Sequence, residues 1–180
     1  MQSKTLKEML NLLAKNNQYS PIIPDQLMIA IFWEETTFQN IEQIKGADGK
    51  VGLGFGQVQE DSLPLIKVRL GKVFPRGLIT QNDNMSVEVA CCYMETLRRG
   101  FQTGSVEAAY KVGYAGATKE GRNQVLDPRT GRTRGQIADA VWQASLELIA
   151  CKSWDDRAAV KAALRIARQA DDDIFASVLG

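Results

Sequence analysis

Two adjacent carboxylates, Glu34 and Glu35, close a run of seven apolar residues, Leu27-Met28-Ile29-Ala30-Ile31-Phe32-Trp33. Packing alone does not predict them there, because acidic side chains favour the opposite end of a helix. A carboxyl group held against apolar surface is destabilised in its ionised form, which is what a general acid needs near neutral pH. The alternative is that both are solvated at a helix end. The chain of 180 residues contains no histidine, which excludes histidine-based triads and dyads and most zinc sites. Acid–base chemistry therefore falls to carboxylates, Tyr, Lys or Cys. The three cysteines, Cys91, Cys92 and Cys151, are odd in number and include an adjacent pair, so they read as small buried hydrophobes rather than a disulfide framework.

Lys and Arg total 22 against 21 Asp and Glu, a balance that gives no electrostatic case for a nucleic-acid partner. Apolar content of 44 % and charged content of 24 % fit a soluble globular chain with a sizeable core. No stretch is long enough to insert in a membrane. Lys7, Glu8, Asn11 and Lys15 interrupt the apolar positions at the start, which therefore read as an amphipathic helix rather than a signal peptide.

The elements that must hold the glutamates read as helices almost throughout. The expected spans are about 3–15, capped by Ser3, then 24–35, 62–70, 86–99 capped by Ser86, and 105–112 capped by Ser105. Further helices are expected over 136–151, 155–168 capped by Asp155, and 173–179. The segment 25–35 is apolar nearly all round and belongs at the centre of the domain. Glycines 46, 49, 52, 54 and 56 mark a loop, with at most a two- or three-stranded hairpin around 46–58. Residues 73–84 read as a connection. Residues 123–134, with Pro128 and Gly131, read as a surface loop whose Arg129, Arg132 and Arg134 are solvated rather than a site. Asp171-Asp172-Asp173 reads as a helix start.

Three ordered motifs carry a resemblance. The segment 27–38, ending Glu34-Glu35-Thr36-Thr37-Phe38, resembles the one that bears the catalytic glutamate in lytic transglycosylases and goose-type lysozymes, with Glu35 in the catalytic register and Thr36 where Ser is usual. Gly52-Leu53-Gly54-Phe55-Gly56-Gln57-Val58 resembles the glycine-rich segment ending Met-Gln-Val, with Gly56 in place of Met. Ala108-Ala109-Tyr110-Lys111-Val112-Gly113 resembles Ala-Tyr-Asn-Ala-Gly, with Lys111 in place of Asn. Together they cover about residues 24–116.

The resemblance implies a mainly α, lysozyme-like single domain over 1–180, with the catalytic part at about 22–150 and a helical extension at 151–180. It implies a muramidase that cleaves the β-1,4 bond between N-acetylmuramic acid and N-acetylglucosamine of peptidoglycan, with no cofactor and no metal. Glu35 would be the acid. Asp48, thirteen positions on, would be the base of a hydrolase, although Ala47-Asp48-Gly49-Lys50 is equally an ordinary turn; a second family Asp falls on Gln59. Gln57, Phe55, Tyr110 and Tyr114 would bind the glycan. Alternatives are a lytic transglycosylase, a phage endolysin or an inert helical module that binds glycan or protein. Synthesis in the cytoplasm without a Sec signal, followed by action in a target cell's periplasm, would suit an effector of type VI secretion with a periplasmic immunity protein as partner.

Overall fold

The computed structural model describes residues 2–45 and 49–180. Helix α1 (Leu6–Asn16) leads into α2 (Asp25–Thr36), and strands β1 (Glu42–Lys45), β2 (Lys50–Leu53) and β3 (Val58–Gln59) follow. Helices α3 (Leu63–Leu70), α4 (Arg76–Ile79), α5 (Asp83–Gly100) and α6 (Val106–Ala108) come next, the last continuing into one π-helical turn, Ala109–Tyr114. Strands β4 (Val125–Asp127) and β5 (Arg132–Thr133) precede α7 (Arg134–Ala150), α8 (Arg157–Ala167) and α9 (Asp172–Leu179). The protein is mainly α with two small antiparallel sheets. Among the described residues no helix is long and apolar enough to cross a membrane.

Helix α2 is the axis of the molecule. Its seven residues from Leu27 to Trp33 are all buried, because an all-round apolar helix loses free energy wherever it meets water. Helices α1, α7 and α8 pack around it. One apolar core runs from Leu6 to Val178 and includes Phe175 of α9, whose ring lies 4.9 Å from that of Trp33. The segment 151–180 therefore covers α2. Cys91 and Cys92 are fully buried in α5, as their reading as small hydrophobes expects, and Cys151 is half-buried.

Several caps differ from the expectation. Thr5, not Ser3, caps α1, in a reciprocal capping box with Glu8. Asn82 caps α5 by accepting from Met85 N at 3.1 Å, and Asp156 rather than Asp155 caps α8. Ser86, freed from capping, is buried inside α5 and accepts from Phe55 N at 2.9 Å. Ser105 caps α6 as read from the sequence. The connection 73–84 contains α4, entered through Pro75.

The first sheet begins at Glu42, earlier than the glycine loop predicts, with Glu42 opposite Leu53 and Leu53 opposite Val58. The segment 123–134 is a hairpin and not an irregular loop, with Asp127 opposite Arg132. Its turn is built by Asp127, whose carboxylate accepts from Arg129 N at 3.0 Å and Thr130 Oγ1 at 2.8 Å, while Gly131 supplies a φ of 72°. These bonds hold the Asp127 carboxyl below its usual range.

Candidate active site

The end of α2 is fixed from three sides. Two non-glycine residues in succession, Thr37 at φ 49° and Phe38 at φ 63°, reverse the chain. Left-handed backbone costs about 1 kcal/mol or more for such residues. The surroundings enforce it: the Phe38 ring is fully buried 5.5 Å from Trp33, and Phe38 O accepts from Lys4 N at 2.9 Å. Thr36, the residue after Glu35, donates its hydroxyl to Phe55 O at 3.1 Å, and so joins the glutamates to the glycine loop.

The third attachment comes from the far end of the chain. Arg168, just past α8, donates to Glu34 O at 2.7 Å, and Trp33 Nε1 donates back to Arg168 O at 3.0 Å. A positive charge there also compensates the negative end of the helix dipole. Arg168→Met, which keeps the stem and removes the donors, is expected to lower stability by about 1–2 kcal/mol, a thermal midpoint loss of roughly 2–8 °C by calorimetry. An unchanged midpoint would mean that the clamp contributes nothing.

Glu34 and Glu35 line a cleft of about 950 Å³, at the upper end of the range for ligand sites. Glu34 Oε2 is buried and lies 3.8 Å from Arg132 Nη1. Tyr110 and Tyr114 line the same cleft from the π-helical turn, with ring centroids 6.2 Å apart. The wide turn is closed by Ala115 N donating to Tyr110 O at 2.8 Å, and turns of this kind recur at functional sites. Burial, and after it the charge of Glu35, pushes both phenols well above their usual pKa. They therefore remain O–H donors throughout the neutral range. Tyr114 donates to Gly56 O at 2.5 Å, and the tilted ring of Tyr93 packs against it with centroids 5.1 Å apart.

Two residues at which the chain differs from the motifs it resembles are tied into this packing. A side chain at Gly56 would strike the Tyr114 hydroxyl and come within 2.9 Å of Ala90 Cβ, so the position is closed to the usual Met. Lys111 pairs with Glu107 at 2.8 Å and Asp139 at 3.0 Å, tying the π turn to α7.

Two expected glycan-binding residues are placed differently. Phe55 is fully buried, its ring 6.1 Å from Phe32, so it packs against α2 and cannot stack on a sugar. Gln57 borders the cleft but folds inward from a backbone φ of 48°, and its amide donates to Ile41 O at 3.0 Å and Gly54 O at 2.9 Å. It braces the glycine loop, so a donor role toward substrate is not available to it. Gly52 leaves room for that amide, which a Cβ there would strike. Asp48 lies outside the described residues.

The sequence reading missed the opposite wall. Arg129, Arg132, Arg134 and Arg168 all line the cleft, as do Tyr93 and Leu126. A polar segment holding Pro128 and Gly131 predicts a loop with solvated arginines, and the structure differs. The missing signal was the hairpin, which turns Arg132 toward Glu34 and lets Arg132 Nη2 donate to Ala167 O at 2.7 Å. Compared with known proteins, the chain matches no protein-family model, no curated protein and no solved structure.

Proposed function

We propose that the chain is a peptidoglycan muramidase of lysozyme-like fold in which Glu35 is the general acid. The observation that supports it most is the setting of Glu35, at the clamped end of a buried helix, on the wall of a cleft shared with two phenols that stay protonated. Glu35 would give its proton to the glycosidic oxygen as the bond from that oxygen to C1 of N-acetylmuramic acid breaks. Water would add at C1 from the opposite face and lose its proton to a carboxylate base, inverting the anomeric centre. Tyr110 can donate to the substrate without competing as an acid, since its proton is held far above neutral pH.

Of the other carboxylates on the cleft wall, Asp127 is taken up by its own turn and Glu34 sits against Arg132. The resemblance implies Asp48 as the base of a hydrolase, on the spacing of the motifs. The second reading is a lytic transglycosylase, which needs no base of this kind because the muramic acid 6-hydroxyl closes on C1. Mass spectrometry of the muropeptides separates the two. We expect free reducing ends from the wild type, and a loss of about a hundredfold or more in Asp48→Asn. Products bearing 1,6-anhydro rings, made by a still active Asp48→Asn protein, would replace the hydrolase with the transglycosylase. No release of muropeptides from purified sacculi would leave an inert binding module. The proposed setting is an antibacterial effector whose immunity protein plugs this cleft.

A further inference from the structure

We propose that the β4–β5 hairpin is a carboxylate subsite, which makes the enzyme select glycan strands that carry stem peptides over bare glycan. The proposal rests on the muramidase reading of the cleft. Its origin is a mismatch of charge. The sugar backbone of a bare, amide-blocked strand is neutral and offers an arginine only hydroxyl and amide oxygens. Four arginines, Arg129, Arg132, Arg134 and Arg168, nevertheless line the cleft that holds Glu35.

These are not loop arginines in open water. Arg132 keeps only 24 % of its side-chain exposure, and its Nη2 is fixed on Ala167 O at 2.7 Å. Arg134 is half-buried, with Nη1 on Ala115 O at 3.1 Å and Nη2 on Gln124 Oε1 at 3.0 Å. Each guanidinium carries five N–H donors, more than these bonds use. An arginine already anchored by neutral carbonyls loses little freedom when its remaining donors meet a carboxylate, and its planar fork suits that group. The nearby acids do not saturate the cluster. Asp127 is turned into its own hairpin and Glu34 forms an ion pair with Arg132 at 3.8 Å, while among the described residues no carboxylate lies within ion-pair distance of Arg129 or Arg134. Arg129 lies exposed at the turn.

The same hairpin shows two apolar side chains beside the cleft, Val125 at 52 % and Leu126 at 42 % exposure. Carboxylates combined with short aliphatic side chains are the chemistry of a stem peptide on muramic acid. A strand without peptides and with its lactyl carboxyls blocked as amides supplies neither.

The test uses the full chain. Cleavage rates are compared on intact sacculi and on strands stripped of peptides by an amidase, whose exposed lactyl carboxylates are then blocked as amides. Binding of a Glu35→Gln protein is measured by calorimetry to a disaccharide-tetrapeptide, to the same compound with its carboxylates amidated, and to the peptide-free disaccharide with its lactyl carboxyl amidated. We expect the free-acid probe to bind at least about tenfold tighter than the amidated one. In Arg129→Gln/Arg134→Gln this ratio should collapse toward one, while Arg129→Lys/Arg134→Lys should keep part of it. Arg129→Gln alone, at an exposed position, guards against a fold defect in the double variant, and thermal melting checks both. Equal binding of free and amidated probes would overturn the subsite. Equal cleavage of stripped and intact strands would overturn the selectivity and leave the muramidase standing. Probe binding that follows the carboxylates in a protein that cleaves no peptidoglycan would leave the subsite and remove the muramidase.

Discussion

Glu35→Gln should lose peptidoglycan cleavage by at least about a hundredfold. The amide keeps the shape of the carboxyl but has no proton to transfer. The thermal midpoint should stay within roughly 2 °C of the parent, since an isosteric change at a cleft wall moves stability by about 0.5 kcal/mol or less. Directed to the periplasm of a bacterial host, the wild type should lyse the cell and Glu35→Gln should not. Glu34→Gln should retain far more activity, because Glu34 sits against Arg132 and its carbonyl, not its carboxylate, meets Arg168. An essential Glu34 beside a dispensable Glu35 would transfer the acid role to Glu34. Toxicity of cytoplasmic Glu35→Gln would point to a target other than the cell wall.

Gly56→Met should be the most damaging single change in the glycine loop, although it makes the chain more like the family it resembles. The new side chain meets the Tyr114 hydroxyl, Ala90 and Phe32 in a packed space. Overpacking of this kind costs about 1–3 kcal/mol, and the displaced Tyr114–Gly56 hydrogen bond adds about 1 kcal/mol. A thermal midpoint loss of roughly 4–16 °C should follow, with any peptidoglycan cleavage falling further as Tyr114 leaves the cleft wall it shares with Glu35. Gly56→Ala should act in the same direction with a smaller effect. A midpoint equal to that of the wild type would show that the loop is not clamped against the π turn.

The helical frame was legible because it depends on local pattern. The run from Leu27 to Trp33, entered through Pro24 and Asp25, reads as a buried helix that ends at Glu34 and Glu35, and α2 has that form. Features decided by long-range packing were not legible. Asn82 and Ser86 are both good caps, and only the docking of the glycine loop on Ser86 assigns the role to Asn82. Phe55 could face out or in, and contact with Phe32 settles it inward. Gln57 is reversed by a positive φ that its residue type does not announce. The β4–β5 hairpin lacks apolar alternation and is held by the turn chemistry of Asp127, so its arginines read as surface. Asp48 remains a matter of motif spacing.

The clamp between Trp33 and Arg168 also sets a timetable for synthesis. The two residues are 135 positions apart. At about 5–20 residues per second, a ribosome reaches Arg168 on the order of ten seconds after Trp33. Until then the flank of Trp33 that Phe175 later covers has no partner, and the helix bearing Glu35 lacks its last anchor. Closing so long a loop is also slow in folding, because the entropy of closure precedes the contacts that offset it. A translation product that stops short of Arg168 should thus be a substrate for proteases, and the end of the helix that bears Glu35 should be anchored only in chains translated beyond that point.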